Sequence, residues 1–177
     1  MTTTDWCDND SLFVFGSLMD PDVLALVSGM ALSDLTLATA SVQGYRQGEV
    51  EEESYPVLVA CESAQTSGLL IKGLSDTALA RILFFEGEEY RLQKIEATLD
   101  NGEAVAAFYF CDTGAYTVRD AMWDFDQWQQ IHKPSFIEAS RQYMALFGSM
   151  SAAEADAHWT ALTQQGDVFT ATEKVAV

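Results

Sequence analysis

Glu86 is the side chain of this sequence best suited to acid/base chemistry. It follows two phenylalanines and precedes Gly87, at the expected end of an apolar helix face. Apolar neighbours withdraw water from a carboxylate, and the like charges of Glu88 and Glu89 oppose its ionisation, so both effects raise its pKa. A carboxylate with a raised pKa is a better proton acceptor. A solvated acidic turn is the alternative interpretation, and Glu88 and Glu89 fit it as ordinary exposed acids.

The backbone of residues 16–18 is a second candidate for chemistry. It follows the apolar run 12–15, which is too short for a buried helix and is typical of a core strand. Asp20 and Pro21 then predict the N-cap and the first residue of a helix. Amides in the turn between them have no strand partner, so they can converge on a carboxylate or an oxyanion. An ordinary connection without a ligand is the alternative.

Other chemistries are not indicated by the sequence. His132 and His158 are the only histidines, and neither lies in an H-E-x-x-H or H-x-E setting. Cys7, Cys61 and Cys111 are far apart and lack C-x-x-C spacing, which argues against a disulfide framework and against a zinc site. No G-x-S-x-G, Walker loop or G-x-G-x-x-G follows a strand, so neither a serine hydrolase nor a nucleotide cofactor is predicted.

The charge of the chain limits its partners. The 177 residues carry a net charge of -18, from 27 acidic and 9 basic residues. Such a surplus repels phosphate backbones and anionic lipids, so we expect no nucleic-acid or membrane partner. Without a leader or a long apolar run, we expect a cytoplasmic protein. The few cations are informative, and Arg46 and Arg91 are candidates for holding a substrate carboxylate, with surface ion pairing as the alternative.

Short strands are predicted through the first half of the chain. Residues 35–42 alternate weakly and lead into a bend, and 68–71 form a brief apolar strand. Pro56 restricts the run 57–60 to an edge strand or a strand start. The four acids between positions 49 and 53 are expected to form a solvated loop or the tip of an edge strand.

A helix and a hairpin follow these strands. Ser75 predicts the N-cap of a helix that ends in the stretch containing Glu86. Asp100-Asn101-Gly102 is a strong hairpin turn between residues 95–99 and 104–111. The second arm is apolar almost throughout, which predicts a strand buried on both faces in a closed or curled sheet.

Three helices are predicted after residue 113. The first covers 124–132, the second is opened by a Ser135/Glu138 capping box and ends near Phe147, and the third is opened by Ser151/Glu154 and ends near Gln165. We expect one domain over residues 1–177, with a core over about 11–112 and a helical extension over about 122–166. The helices of this extension are expected to pack on the same core and to offer a surface for a homo-oligomer.

The motifs of the first two thirds of the chain occur in an order that resembles the γ-glutamylcyclotransferase-like family. They are V-F-G-S-L-M, G-Y-R, Y-P and F-E-G-E-E-Y-R, and the resemblance spans about Leu12 to Phe110. Two positions depart from the family pattern. Phe15 replaces the usual tyrosine, and Leu83 and Phe84 stand where the family has an aspartate. The C-terminal helices lie outside the resemblance.

The resemblance implies an α+β fold, a small mixed β-barrel with flanking helices. It also implies a cofactor-free enzyme that needs no metal and releases 5-oxoproline from a γ-glutamyl amino acid, peptide or amine. By the same match, Glu86 is the acid/base. The residues expected to contact the substrate are Phe15, Gly16, Ser17, Leu18, Tyr55 and Tyr90. Tyr55 and Tyr90 would offer hydroxyl groups, with a buried aromatic as the alternative role for either.

Two other functions remain open at this point. The missing hydroxyl at Phe15 and the missing acid before Phe85 are compatible with a non-catalytic module that binds a small carboxylate. An amide hydrolase or an acyl transferase on the same fold would differ only in the attacking group. The expected partner in the enzymatic case is a small γ-glutamyl compound.

Overall fold

The computed structural model describes residues 6, 7 and 9–159, which form six strands and five helices. The strands are β1 (Ser11–Val14), β2 (Thr36–Val50), β3 (Pro56–Lys72), β4 (Tyr90–Leu99), β5 (Ala104–Asp112) and β6 (Val118–Met122). The helices are α1 (Pro21–Ser28), α2 (Asp76–Glu86), α3 (Phe125–Ile131), α4 (Lys133–Met144) and α5 (152–159).

Five of the strands close into a mixed barrel. Their order is β3-β1-β5-β4-β2, and the pairing of β2 with β3 closes the ring, while β6 adds to the outer side of β2. Only the pairing of β1 with β5 is parallel, and the others are antiparallel. The predicted α+β fold with a small mixed barrel is therefore confirmed.

Strand β3 corrects the prediction of two short strands. It runs without interruption from Pro56, which occupies the first strand position where a missing N–H is tolerated. It pairs with β2 from Glu49↔Pro56 to Thr36↔Lys72, around a bulge at Gly44. Its middle, 61–67, is mostly polar and mostly exposed, so hydrophobicity did not reveal it.

The hairpin of β4 and β5 is confirmed, with Thr98 opposite Ala104. Four consecutive residues of β5, Ala107 to Phe110, are buried, as predicted for a strand covered on both faces.

Strand β1 shows why both faces of the barrel wall need apolar residues. Leu12 packs in the larger core under the helices, whereas its neighbour Phe13 packs in the smaller core inside the barrel.

The helix caps are partly as predicted. Asp20, Ser75 and the Ser151/Glu154 box cap their helices, and the predicted end near Gln165 lies outside the described residues. The Ser135/Glu138 box is wrong, because α4 begins at Lys133, where Pro134 fits the first turn. Ser135 Oγ instead donates to the His132 carbonyl, and Glu138 accepts from Arg141.

In the part of the chain that the structure covers, the helices are too short or too polar to cross a lipid bilayer.

Candidate functional site

A cavity of about 170 Å³ lies between one end of the barrel and the C-terminal helices. The seven residues predicted as site residues, from four separate segments, all line it: Phe15, Gly16, Ser17, Leu18, Tyr55, Glu86 and Tyr90. Their roles in chemistry stay predictions. The remaining wall includes acids and aromatic side chains that the sequence analysis did not select.

We call residues 16–18 the cradle turn. It forms a short 3₁₀ turn in which the amide of Met19 donates to the Gly16 carbonyl at 2.9 Å. Among the described residues, no acceptor is bonded to the amides of Gly16, Ser17 or Leu18. Since the carboxylate of Asp20 already accepts from the first amides of α1, the amides of the turn, rather than those of the helix, are available to bind an anion in the cavity.

Two neighbouring segments hold the cradle turn in place. A side chain on Gly16 would meet the Pro56 ring, since its β-carbon would lie 3.0 Å from Pro56 Cδ. The Gln47 side-chain amide donates to the Phe15 carbonyl just before the turn. The turn is thus packed against the start of β3 and bonded to β2.

Asp20 fastens the cradle turn to the C-terminal helices. Its carboxylate is fully buried and accepts from Lys133 Nζ at 2.8 Å and from Gln129 Nε2 at 2.7 Å. Burial alone would raise its pKa, but the hydrogen bonds from Lys133, Gln129 and two backbone amides outweigh burial and lower the pKa. These contacts join the N-cap of α1 to α3 and α4.

Glu86 is the last residue of α2 and faces the cavity. Glu86 is half-buried in the cavity wall, and this burial raises its pKa to about 8. No described residue donates a hydrogen bond or a salt bridge to its carboxylate. Gly87 then has φ 72° and ψ -164°, a conformation open essentially to glycine alone, so the chain can leave the helix sharply after Glu86.

Three of the tyrosines that line the cavity, Tyr55, Tyr90 and Tyr116, form one cluster. Tyr116 was not predicted, and its ring contacts those of Tyr55 and Tyr90 at centroid distances of 5.9 and 5.7 Å. The hydroxyls of Tyr55 and Tyr116 lie 3.3 Å apart, and that of Tyr90 donates to the Pro56 carbonyl. These hydroxyls give the cavity wall polar groups, whereas Phe15 in the same wall has no hydroxyl.

Two acids that the sequence analysis assigned to solvent are part of the cavity wall. Glu53 and Glu89 both line it, whereas Glu51, Glu52 and Glu88 are exposed as expected. Glu52 has a positive φ of 66° and lies in the turn between β2 and β3. Burial raises the pKa of Glu53, while hydrogen bonding to Tyr55 and Trp159 partly opposes this shift. The local sequence does not distinguish, among neighbouring acids, those that line the cavity from those that face solvent.

The C-terminal helices close the cavity with side chains of α4 and α5. Tyr143, Asp156 and Trp159 line it, and the Tyr143 hydroxyl lies 2.6 Å from Asp156 Oδ1 and 3.1 Å from the Phe84 carbonyl. The Trp159 ring packs on that of Tyr143 at 5.6 Å. The capping box at Ser151 predicted the helix, but no local signal indicated which of its residues face the barrel.

Neither arginine singled out in the sequence lines the cavity. Arg46 lies 3.7 Å from Asp120 and donates to the Ala121 carbonyl, so it follows the alternative of surface ion pairing. Arg91 is exposed on β4. Within the described residues the wall contains no arginine, lysine or histidine. Across the described residues, the His, Cys, Asp and Glu side chains also form no group of three or more that could hold a metal ion.

Comparison with known proteins places this arrangement in a family. The sequence profile described as "Gamma-glutamyl cyclotransferase, AIG2-like" matches residues 12–129. Protein AIG2 C of Arabidopsis thaliana is 27% identical over 150 residues, which cover 81% of this chain and 86% of that protein. AIG2-like protein A of the same plant is 28% identical over 145 residues, covering 78% and 86%.

Solved structures show the same fold. A solution structure of an Arabidopsis thaliana protein has a TM-score of 0.57 and 23% identity, covering 83% of this chain and 98% of that one. A structure titled "Gamma-glutamyl cyclotransferase" has a TM-score of 0.51 and 12% identity, covering 62% and 69%. By the profile match over two thirds of its length, the chain belongs to the AIG2-like gamma-glutamyl cyclotransferase family.

Proposed function

We propose that this protein is a cofactor-free γ-glutamylcyclotransferase that releases 5-oxoproline from a γ-glutamyl compound. One observation carries the proposal. The unbonded amides of the cradle turn and the carboxylate of Glu86 line the same small cavity, although nearly seventy residues separate them in the chain. Family membership supports the same reaction type.

Glu86 would act on the α-amino group of the substrate. This group must lose a proton before its nitrogen can attack the γ-carbonyl carbon. A buried carboxylate accepts that proton, the new C–N bond closes the five-membered ring, and the bond to the leaving amine breaks. Two protons leave the α-nitrogen in all, because the ammonium carries three hydrogens and the ring amide keeps one. Glu86 accepts the first before the attack and the second after the C–N bond has formed, and passes both in turn to the departing nitrogen, which leaves as an ammonium. The net reaction therefore consumes no water and no cofactor.

The raised pKa of Glu86 suits this transfer. An α-amino group titrates at about 8, so a carboxyl group with an ordinary pKa near 4.5 would take its proton at a cost of about 5 kcal/mol. With its pKa raised to about 8, Glu86 accepts the proton at almost no cost. Burial therefore matches the base to its proton donor.

The cradle turn would bind the negative end of the substrate. Amides of Gly16, Ser17 and Leu18 can hold the α-carboxylate or the oxyanion that develops on the γ-carbonyl. Fixing the glutamyl group between these amides and Glu86 keeps the amine close to its own side-chain carbonyl. Ring closure is intramolecular, so this orientation can supply several kcal/mol of the barrier reduction.

The test is to incubate the purified protein with γ-glutamyl amino acids, γ-glutamyl amines and glutathione while measuring 5-oxoproline. At least one compound should be turned over, and Glu86→Gln should lower kcat by about a hundredfold or more. Glu88→Gln is the matched control, because Glu88 is exposed and does not line the cavity, and its activity should equal that of the wild type.

Three results would contradict the proposal. Full activity of Glu86→Gln on a turned-over substrate removes Glu86 from the reaction. Free glutamate or a transferred acyl group in place of 5-oxoproline identifies a hydrolase or a transferase. Binding of a γ-glutamyl compound in calorimetry with no turnover of any compound identifies a non-catalytic module.

A further inference from the structure

The cavity wall offers hydrogen-bond donors beyond those of the cradle turn. Five side chains outside that turn carry a hydroxyl or an indole N–H: Tyr55, Tyr90, Tyr116, Tyr143 and Trp159. The proposed reaction needs donors in two places, at the α-carboxylate and at the γ-carbonyl oxygen, which becomes an oxyanion during the attack. The partners of each donor in the structure indicate which of them is available to the substrate.

Two of the tyrosine hydroxyls are bonded to acceptors of the protein. Tyr90 donates to the Pro56 carbonyl at 3.4 Å. The Tyr143 hydroxyl lies 2.6 Å from Asp156 Oδ1 and 3.1 Å from the Phe84 carbonyl, so its one hydrogen already has two acceptors. Neither hydroxyl is free to bind a substrate oxygen.

The hydroxyl of Tyr116 has a weaker partner. Tyr55 and Trp159 both donate to the Glu53 carboxylate. Because Tyr55 has a single hydroxyl hydrogen, its 3.3 Å contact with the Tyr116 hydroxyl is a hydrogen bond only with Tyr116 as the donor. This contact is longer than the usual O–H···O distance of about 2.8 Å, and its acceptor is a neutral hydroxyl. Tyr116 therefore loses little when its hydrogen turns to a substrate oxygen.

The backbone on both sides of Tyr116 is fixed. The Thr113 amide donates to the Glu89 carbonyl at 2.8 Å, and the Thr117 carbonyl accepts from the Glu51 amide at 2.9 Å. These bonds join the segment between β5 and β6 to the residue before β4 and to the end of β2. The Tyr116 hydroxyl is thus held in place on the cavity wall, as a catalytic donor must be.

Electrostatics keep this hydroxyl protonated. Burial is the main cause that raises the pKa of Tyr116, the hydrogen bond with Tyr55 opposes the shift, and the charge of Glu86 adds to it. A neutral tyrosine at physiological pH can donate a hydrogen bond. The influence of the Glu86 charge also places the hydroxyl near the proposed base.

The two donor sets suit different oxygens of the substrate. The α-carboxylate is charged in the ground state and in the transition state, and the neighbouring amides of the cradle turn can bind it in both. The γ-carbonyl oxygen gains charge only during the attack. A single hydroxyl with a weak bond in the free enzyme strengthens its contact at that moment, and such an interaction raises kcat.

We propose that Tyr116 is a further catalytic residue, which donates a hydrogen bond to the γ-oxyanion while the cradle turn binds the α-carboxylate. The inference rests on the proposed function. As the α-nitrogen bonds to the γ-carbon, the carbonyl π electrons move to the oxygen, which the Tyr116 hydroxyl contacts. When the carbonyl forms again, the bond to the leaving amine breaks, and Tyr116 keeps its proton throughout.

The experiment compares Tyr116→Phe with the wild type on the γ-glutamyl compound that the wild type turns over fastest. The variant keeps the ring and loses only the hydroxyl, and circular dichroism checks its fold. 5-Oxoproline formation should show kcat lowered about a hundredfold, the usual effect of removing one oxyanion donor. Tyr45→Phe is the matched control, because Tyr45 does not line the cavity, and its kcat should equal that of the wild type.

Two further measurements separate a catalytic role from a structural one. Calorimetry of the intact compound on Glu86→Gln, with and without Tyr116→Phe, should give affinities within about threefold, because the hydroxyl acts mainly in the transition state. In the thioamide of the same compound, charge develops on sulfur, which is a weaker acceptor. The factor by which Tyr116→Phe lowers kcat should shrink to about tenfold or less on the thioamide.

The outcomes distinguish this inference from the function on which it rests. If the wild type forms 5-oxoproline and Tyr116→Phe retains its kcat, the inference is overturned and the cyclotransferase stands. The same follows if the variant loses equal factors of kcat on the amide and on the thioamide, because a hydroxyl that only supports Tyr55 would act alike on both. If the wild type forms no 5-oxoproline from any compound, the cyclotransferase is overturned together with the inference.

Discussion

The two walls of the cavity are built in different ways. The barrel wall, residues 15–18 with Glu86 and Tyr90, lies inside the segment that matches the family profile, residues 12–129. The helical wall, Tyr143, Asp156 and Trp159, lies beyond it. The barrel wall offers backbone amides and one buried acid, whereas the helical wall offers long side chains. We therefore expect changes in the barrel wall to affect the proposed reaction itself and changes in the helical wall to affect mainly substrate binding.

The largest expected effect is a change with pH in the free energy of unfolding of the protein, caused by Glu86 in the barrel wall. The pKa of Glu86 is raised to about 8 in the folded chain and is near 4.5 when unfolded, so the folded state holds a proton that the unfolded chain releases between these pH values. Unfolding free energy should therefore fall as pH rises from 4.5 to 8. The Glu86→Gln variant cannot ionise at this position. Its unfolding free energy should exceed that of the wild type by up to about 5 kcal/mol at pH 9 and should differ little from it at pH 4.

Urea unfolding of both proteins at several pH values measures this difference. Glu88→Gln serves as the control, since Glu88 is exposed. Equal stability of Glu86→Gln and the wild type at pH 9 would show that Glu86 is well solvated, and the contrast between the two walls would lose its main support.

The next effect is the pH dependence of activity. If ionised Glu86 is the base, kcat/KM should rise about tenfold per pH unit, with the midpoint of the rising limb near pH 8. A midpoint near 4.5 in the wild type would contradict the role of burial.

A third prediction tests the connection between the two walls. Lys133 binds the buried Asp20 beside the cradle turn, and it also contacts the exposed Asp22 at 2.7 Å. Lys133→Ala should lower the unfolding free energy by about 2 kcal/mol at neutral pH, because Asp20 keeps Gln129 and the backbone amides as donors. Arg141→Ala is the matched control for an exposed pair and should cost about 0.3 kcal/mol.

The effect of Lys133→Ala should depend on pH in the opposite direction to that of Glu86. The pKa of Asp20 is lowered in the folded chain, so its stabilising contribution is present above its ordinary value near 3.8 and is lost as the pH falls through the lower folded pKa. The difference between Lys133→Ala and the wild type should therefore shrink at acidic pH. A difference that stays constant down to pH 2 would exclude the ion pair as its cause.

The smallest effect is expected in the helical wall. Tyr143→Phe removes a hydroxyl that lies within hydrogen-bonding distance of Asp156 and of the Phe84 carbonyl. The unfolding free energy should fall by about 1 kcal/mol, and KM should rise about fivefold with little change in kcat. A large loss of kcat with unchanged KM would instead assign Tyr143 to the reaction and would erase the distinction between the walls.

Local sequence signals were sufficient for the elements that depend on local physics. Asp20 caps α1, Ser75 caps α2 and Asp100-Asn101-Gly102 turns the hairpin, because capping and turn formation involve residues only two or three positions apart. Strand β3 and strand β6 were missed in whole or in part. Their segments are polar or short, and they form strands because neighbouring strands supply their hydrogen bonds.

The sequence by itself determined that the cradle turn would leave amides unbonded and that Glu86 would follow an apolar helix face before a glycine. Only the tertiary structure decided that both face one cavity, that Glu53 and Glu89 turn inward while their neighbours stay in solvent, and that α5 closes the space. The physical reason is that burial and charge at this site arise between segments far apart in the chain. Neither property is visible in the residues that flank each acid.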